Sequence, residues 1–378
     1  MSPQDVIDEQ RAATNPLFGE RKLKLGTFST NLSGGCTIST AEGMLEMTWP
    51  NTRTLAGLAD EMEFEALVPV GRWKGFGGET NFNGQGFECY TWAAAMSALN
   101  KNSAIFATSH VPTVHPCMAA KQGMTIDHIS GGRFTLNIVT GWFAPEIEMF
   151  GAPLFEHDDR YDMAIEWLDI IRKLWTSEKE FDYDGKYYTV KKAICGPLPI
   201  QKPHPVIMSA GASPRGQAFA AKYADVAFTN LEQHNLEYMK GRVQQYKKYA
   251  REEFGRDIKV WINAYIFQGD TEKDAQKYWD YCVKEKGDYV AADNLIDTMG
   301  INSLSIPEPI LKTLKEHFMA GWGGFPIIGT KEQVVDKLQL IADAGFDGTL
   351  LSWPKYIEGM EEFRDVTYPL VKQAGLRD

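Results

Sequence analysis

The segment 103–142 decides the fold. It reads SAIFATSH (103–110), PTVHPCMAAKQGMTIDHISGG (112–132) and RFTLNIVTGW (133–142). The first and third stretches are apolar almost throughout, which is typical of strands that are buried on both faces of a sheet. The middle stretch has the character of a helix and ends in a Gly-Gly pair, which is a helix stop signal. The segment therefore predicts a strand, a helix and a second, parallel strand.

The same alternation continues in both directions along the chain. Strand candidates begin at residues 23, 64, 103, 133, 204, 225, 258 and 346, and helical stretches separate them. Apolar residues at helical spacing predict a long amphipathic helix over 159–175. Eight strands that alternate with helices favour an α/β fold, a single (β/α)8 TIM barrel with insertions. The alternative is a doubly wound open sheet, but NLSGGCT follows the first strand where that fold would carry GxGxxG.

We expect one TIM-barrel domain over residues 1–378, because no internal stretch is rich in proline, serine or charge. Three segments depart from the alternation. Residues 1–22 are predicted to form a loose polar leader. The DG turn in EFDYDGKYYTV (180–190) predicts a hairpin insertion within 176–203. The Gly-rich segment 287–328 is predicted to be an irregular insertion.

Composition excludes several classes of protein. The formal net charge is −11 and no long basic run occurs, so nucleic acid is not an expected partner. No stretch approaches about 18 consecutive apolar residues, and the first 22 residues lack the apolar core of a signal peptide, so no membrane association is expected. The five cysteines are scattered and form no CxxC pair, which argues against a disulfide framework and favours the cytoplasm.

In a barrel of this class the active site lies at the carboxyl ends of the strands. The side chains predicted there are mostly neutral hydrogen-bonding or aromatic groups: Ser29, Asn31, Arg72, Trp73, Thr108, His110, Asn137, Thr140, Trp142, Ser209, Gly211, Ser213, Thr229, Asn230, Asn263 and Trp353. The set contains no paired carboxylates, and the chain has no HxH, HExxH or GxSxG motif, so no metal is expected. Such a set suits an organic cofactor that carries the chemistry itself.

Two segments offer a phosphate site. GASPRG (211–216) is a Gly-rich turn that enters a helix, where backbone N–H groups can hold a phosphate, although an ordinary helix cap is the alternative. HDDRYD (157–162) opens the amphipathic helix. Its acidic residues suit a helix N-terminus, whereas Arg160 and Tyr161 are able to reach a phosphate.

Four blocks together carry a family resemblance: TIDHISGGRFTLNIVTGWFAPE (125–146), HDDRYDMAIEWLDIIRKLW (157–175), FDYDGKYYTV (181–190) and IMSAGASPRGQAFAAKYAD (207–225). They resemble the bacterial-luciferase-like superfamily of flavin-dependent monooxygenases. KGFGGET (74–80) and IFATSHVPT (105–113) are similar to the pyrimidine monooxygenases of that superfamily. NLSGGCTISTAEG (31–43) is instead similar to the dimethylsulfone and alkanesulfonate enzymes.

The resemblance implies a two-component enzyme. A separate NAD(P)H-dependent flavin reductase would supply reduced FMN (FMNH2), and this chain would add O2. It implies cofactor contacts at Asn137, Glu146, Arg160, Tyr161 and Ser213, with a further contact placed loosely on Val70, Gly71 and Arg72. Thr140 and Gly211 are added to the predicted cofactor site because of their positions at strand ends. It also implies an oxygen pocket framed by Thr108 and Asn137 as the catalytic residues. The predicted substrate pocket is lined by Cys36, Trp73, His110, Trp142 and Trp353.

The function expected on these grounds is monooxygenation of a small organic substrate, either a pyrimidine-like heterocyclic amide or an organosulfur compound. A deazaflavin (F420)-dependent hydride transferase of the same barrel superfamily is one alternative, and a non-catalytic flavin-binding relative is another. We expect the protein to form a homodimer or a homotetramer.

Overall fold

The computed structural model describes residues 3–300 and 307–377. Its strands are β1 (Lys24–Phe28), β2 (Ala66–Val68), β3 (Ala104–His110), β4 (Phe134–Val139), β5 (Phe181–Asp184), β6 (Thr189–Ala193), β7 (Val206–Ser209), β8 (Val226–Phe228), β9 (Lys259–Gln268), β10 (Phe325–Gly329) and β11 (Gly348–Ser352). Its α-helices are α1 (Pro3–Ala12), α2 (Trp49–Glu61), α3 (Cys89–Leu99), α4 (Pro116–Ser130), α5 (Ala144–Met149), α6 (His157–Thr176), α7 (Pro214–Tyr223), α8 (Leu236–Phe254), α9 (Glu272–Asp280), α10 (Tyr289–Thr298), α11 (Glu308–Gly321), α12 (Lys331–Asp343), α13 (Tyr356–Glu362) and α14 (Tyr368–Gln373).

Eight of the strands, β1 to β4, β7 to β9 and β11, begin within two residues of the predicted starts. They are parallel to their neighbours and alternate with helices, which is the (β/α)8 TIM-barrel class that the sequence predicted. Within the described residues the chain divides into two compact units. The first comprises Met1–Gly19, Cys89–Phe228 and Tyr246–Lys259, and the second comprises Glu20–Glu88, Thr229–Gln245 and Val260–Asp378.

The first unit contains four parallel strands in the order β3, β4, β7, β8. Helix α4 ends as predicted, because Gly131 adopts a left-handed conformation with φ 67° and its N–H returns to the carbonyl of His128. Two indole N–H groups tie α6 to the β3–α4 connection and to α4. Trp167 donates to the carbonyl of Val114 at 2.7 Å, and Trp175 donates to the carbonyl of Ala120 at 2.9 Å.

The second unit contains five parallel strands in the order β10, β9, β11, β1, β2. The ten-residue strand β9 pairs with two neighbouring strands. Trp261–Tyr265 pair with β11, and Ala264–Gln268 pair with β10. Gly26 of β1 permits close strand approach, because a Cβ at that position would lie 2.7 Å from the Cβ of Ala66.

Two predicted irregular segments are ordered, which corrects the sequence interpretation. The leader contains α1, and Arg11 at its end forms a buried ion pair with Asp225 at 2.8 Å. The segment 287–328 contains α10, α11 and β10, and β10 is a strand that the sequence analysis did not find. The proline in FPIIG obscured it, but β10 is paired only on its β9 side within this unit, where a proline is tolerated. The structure does contain an antiparallel β5–β6 hairpin within 176–203.

In the part of the chain that the structure describes, none of the helices combines the length and the apolar character needed to cross a membrane. The prediction of a single domain stays a prediction.

Candidate active site

The carboxyl ends of β3 and β4 bring Thr108 and Asn137 together. The two residues are register partners in the parallel ladder. Both side chains are buried, with exposed fractions of 8% for Thr108 and 5% for Asn137. The Asn137 Nδ2 donates a hydrogen bond to the Thr108 Oγ1 at 3.0 Å. The buried Asn137 Oδ1 has no hydrogen-bond partner among the residues that the structure describes, so the pair presents an unused acceptor.

His110 lies two residues beyond Thr108 on β3, and side chains at this spacing share one face of a strand. Its Nδ1 is 3.7 Å from the Oε2 of Glu146, which lies in the first turn of α5. Both residues are buried. The sequence assigned His110 to the substrate pocket and Glu146 to the cofactor site, whereas the structure pairs the two side chains.

The β7–α7 loop forms a tight backbone cradle. A Cβ on Gly216 would lie 2.5 Å from the hydroxyl oxygen of Tyr161 and 2.7 Å from the backbone of Gly211. A Cβ on Gly211 would meet the same hydroxyl at 2.7 Å. Ser213 caps α7 by accepting a hydrogen bond from the N–H of Gly216 at 3.1 Å. The cradle therefore combines a helix N-terminus, which favours an anion, with a buried tyrosine hydroxyl.

Arg160 precedes Tyr161 in the first turn of α6. One of its Nη1 hydrogens is donated to the carbonyl of Gly141, which follows β4 by way of the half-buried Thr140. The Nε is buried without a partner, and within the described residues no carboxylate lies at ion-pair distance from this guanidinium. Arg160 is thus a cation that no carboxylate of the described residues neutralises by an ion pair.

The second unit holds the remaining predicted cofactor residues in the loop after β2. Asn31 fixes this loop, because its Nδ2 donates to the carbonyl of Val70 at 3.0 Å and its Oδ1 accepts from the N–H of Val70 at 2.9 Å. Gly71 is buried, and the Arg72 guanidinium lies 5.1 Å from the ring centroid of Phe76. Val70, Gly71 and Arg72 therefore stand together in a defined loop.

Two predicted substrate residues, Cys36 and Trp353, meet at Tyr356 in the second unit. The Tyr356 hydroxyl donates to the carbonyl of Phe28 at 2.6 Å and lies 3.2 Å from the Cys36 Sγ. Cys36 is 0% exposed, and burial raises the pKa of its thiol to about 12. The Trp353 ring packs 6.3 Å from that of Tyr356. Cys36 is therefore a protonated packing residue here.

The other two predicted substrate residues are tryptophans in different surroundings. Trp73 is 48% exposed in the loop after β2. Trp142 is half-buried in the first unit, with its ring 5.8 Å from that of Phe143.

Sequence reasoning missed a histidine–tyrosine cluster in the second unit. The Tyr265 hydroxyl on β9 is hydrogen-bonded to the His317 Nδ1 of α11 at 2.8 Å, and the His234 ring lies 5.5 Å from that of His317. Burial lowers the pKa of His234 to about 4 and also lowers that of His317. The position of His234 just after a barrel strand was the available signal. His317 lies in the segment that was predicted to be irregular.

A second unpredicted feature of this unit is a cavity of about 540 Å³ between the segments 33–48 and 80–85. Its walls carry several hydroxyl groups, among them those of Ser33, Thr37, Thr48 and Thr80. Among the described residues no group of three or more His, Cys, Asp or Glu side chains is arranged to hold a metal ion.

The comparisons with known proteins agree with a fold of this class. The family model described as luciferase-like monooxygenase matches residues 23–348, and the chain belongs to this family. It is therefore a flavin-dependent monooxygenase by class. Among curated proteins it is similar to the pyrimidine monooxygenase RutA of Escherichia coli, with 28% identity over 98% of this chain and 94% of the relative.

Two solved structures share the fold. The long-chain alkane monooxygenase LadA superposes with a TM-score of 0.81 and 22% identity, covering 95% of this chain and 93% of that chain. DmoA from Hyphomicrobium sulfonivorans superposes with a TM-score of 0.79 and 20% identity, covering 95% of this chain and 90% of that chain.

Proposed function

We propose that the protein is the oxygenase component of a two-component system. It would take reduced FMN from a separate NAD(P)H-dependent flavin reductase and use O2 to oxidise a small organic molecule. The observation that carries this proposal is the cradle of the first unit, formed by Tyr161, Gly211 and Ser213, together with Arg160, the neighbour of Tyr161 in α6. No dinucleotide-binding GxGxxG turn follows the first strand, which supports a separate source of reducing equivalents.

The cradle fits the phosphate of FMN on its own geometry. A helix N-terminus attracts an anion, and a guanidinium forms charge-assisted hydrogen bonds to phosphate oxygens. The buried Nε of Arg160 is an unsatisfied donor, and the Tyr161 hydroxyl lies against the loop backbone. These groups would hold the phosphate and thereby orient the rest of the cofactor.

The Thr108–Asn137 pair fits the ring system of the reduced cofactor. The unpaired Asn137 Oδ1 is an acceptor, and a reduced flavin carries a ring N–H that the oxidised flavin lacks. Bound reduced FMN would supply the electrons that activate O2. The role of this chain would be to bind and orient the ring. It would also exclude bulk water around four buried residues, Thr108, His110, Asn137 and Glu146.

For the substrate we propose a small heterocyclic amide of the pyrimidine type, with an organosulfur compound as the other candidate. The similarity to a pyrimidine monooxygenase supports the first. The loop 31–43 supports the second, because its sequence resembles sulfone-type enzymes. The five cysteines are free thiols, so we also propose that the enzyme works in the cytoplasm. A homo-oligomer stays a prediction.

Titration of the purified protein with FMN, riboflavin and F420 tests the cofactor. We expect FMN to bind more tightly than riboflavin, which has no phosphate, and reduced FMN to bind more tightly than oxidised FMN. A flavin reductase with NADH, O2 and either uracil or dimethylsulfone then tests the reaction, with product identified by mass spectrometry. Tighter binding of F420 than of FMN would overturn the proposal in favour of hydride transfer. NADH consumption by this chain without a reductase would overturn the two-component scheme.

A further inference from the structure

The negative charge of the side chains at the start of α6 disfavours a phosphate there. Glu156, Asp158, Asp159 and Asp162 all lie at or near its first turns. Their carboxylates suit the positive end of the helix dipole, but they would also repel a phosphate and compete for Arg160. The structure offsets this for the three aspartates, whereas Glu156 precedes the helix as its N-cap residue.

A different cation or imidazole engages each of the three aspartates. The pairs are Asp158 with the Nδ1 of His157 at 2.8 Å, Asp159 with the Nζ of Lys186 at 2.9 Å, and Asp162 with a guanidinium nitrogen of Arg215. Arg160 lies among them without a carboxylate partner in the described residues, and its Nη1 donates to the backbone carbonyl of Gly141. The three aspartates therefore pair with other side chains, and the guanidinium of Arg160 stays available to a ligand.

The partners of Asp159, Lys186 and Tyr187, lie at the tip of the β5–β6 hairpin. Lys186 and the Tyr187 hydroxyl both donate to the same Asp159 Oδ1, at 2.9 Å and 2.8 Å. The Glu166 carboxylate on α6 holds the tip itself, because it accepts the backbone N–H groups of Lys186 at 2.8 Å, Tyr187 at 2.8 Å and Tyr188 at 3.2 Å. The hairpin is therefore fastened to α6 by its backbone, and this fixes where Lys186 and Tyr187 point.

We propose that Lys186 and Tyr187 are positioning residues of the phosphate site. By holding the Asp159 carboxylate they keep its charge compensated, so the guanidinium of the neighbouring Arg160 remains available to an anionic ligand. This inference rests on the proposed FMN function. It assigns a role in cofactor binding to a hairpin that lies outside the (β/α)8 framework.

The test compares two ligands that differ only in the phosphate. Lys186→Met is titrated with FMN and with riboflavin at low salt and at high salt. We expect FMN to bind roughly threefold to tenfold more weakly, with a smaller effect at high salt, and riboflavin binding to stay unchanged. Tyr187→Phe should act in the same direction and more weakly. Lys191→Met, an exposed lysine on β6 of the same hairpin, is the matched control and should change neither affinity.

The double variant Lys186→Met/Asp159→Asn separates positioning from a merely structural role. Removal of the uncompensated carboxylate should restore FMN affinity to within about twofold of the wild type, because the charge no longer needs a partner. Unchanged FMN affinity in Lys186→Met, equal losses for FMN and riboflavin, or no rescue by Asp159→Asn would each overturn the inference. A wild-type protein that binds FMN no more tightly than riboflavin would instead overturn the proposed phosphate site, so the two failures are distinguishable.

Discussion

The side-chain amide of Asn137 donates one Nδ2 hydrogen to the Oγ1 of Thr108 at 3.0 Å, and its own buried Oδ1 has no hydrogen-bond partner within the described part of the chain. The family resemblance implied that the two residues frame an oxygen pocket. The structure shows that an Asn137 N–H is used within the pair, so the atom that remains unpaired is an acceptor. An N–H group on the ligand suits that acceptor, which is why we expect the pair to position the reduced cofactor.

Replacement of Asn137 should therefore affect the reaction more than cofactor affinity. We expect Asn137→Ala to lower product formation per FMNH2 consumed by roughly 10²–10³-fold, which is the usual effect of losing one preorganised hydrogen-bonding group at a reacting centre. Rapid mixing of photoreduced FMN, O2 and substrate, with product and hydrogen peroxide both measured, gives the coupling. FMN affinity is measured in parallel by fluorescence.

Thr108→Val is the companion variant, because it is nearly isosteric and leaves the Asn137 Nδ2 without its acceptor. Ser109→Ala is the control, since Ser109 lies on the opposite face of β3 and its buried Oγ has no hydrogen-bond partner in residues 3–300 and 307–377. Near-native coupling in both Asn137→Ala and Thr108→Val would show that the pair is ordinary barrel lining.

The glycine cradle gives a prediction about cofactor binding. A methyl group on Gly216 would lie 2.5 Å from the Tyr161 hydroxyl and 2.7 Å from the Gly211 backbone, so Gly216→Ala must displace the loop. We expect FMN affinity to fall at least tenfold, together with a loss of about 1–3 kcal/mol in the free energy of unfolding. Both are measured by flavin titration and urea denaturation.

Gly241→Ala is the matched control for that variant. Gly241 lies inside α8, and a Cβ there would meet nothing within 4 Å. Alanine is the better helix former, so this variant should gain about 0.5–1 kcal/mol and bind FMN normally. Unimpaired FMN binding by a folded Gly216→Ala protein would contradict the placement of the phosphate in this loop.

The barrel strands could be located from sequence because each is an apolar run between helices, and burial on both faces leaves that pattern wherever the fold occurs. The ordered structure of the leader could not be predicted, because it depends on a buried ion pair between Arg11 and Asp225, which are far apart in the chain. The same limit applies to the candidate site. Arg160 stands in a recognisable motif, but the pairing of His110 with Glu146 is a tertiary contact that no local spacing encodes.

The ion pair of the leader gives a prediction about stability. Arg11 is 2% exposed, and the Asp225 carboxylate also pairs with Arg256 at 3.1 Å and accepts the N–H of Ile207 at 2.9 Å. Although burial alone would raise it, these neighbouring cations hold the pKa of Asp225 well below its ordinary value. Arg11→Met should cost about 3 kcal/mol in the free energy of unfolding, because it leaves a buried charge undercompensated.

Urea denaturation at neutral pH measures that loss. The exposed pair of Lys22 with Asp343 at 3.1 Å is the control, and Lys22→Met should change stability by less than about 0.5 kcal/mol. Equal small effects of the two variants would mean that the leader is not anchored through Arg11.

The last prediction concerns the dependence of stability on pH. Burial, followed by the nearby Arg172 guanidinium, lowers the pKa of His204 to about 4 from its ordinary 6.5, while its Nδ1 is hydrogen-bonded to the carbonyl of Pro205 at 2.8 Å. Between pH 6.5 and pH 4 the unfolded chain therefore binds a proton at this residue that the folded chain does not. Stability from this group is fully present above pH 6.5 and is lost as the pH falls toward 4, by about 3 kcal/mol. His204→Gln should show a correspondingly shallower loss when urea denaturation is measured at pH 7, 5.5 and 4.5. A His204→Gln profile parallel to the wild type over this window would show that the acid sensitivity arises elsewhere in the fold.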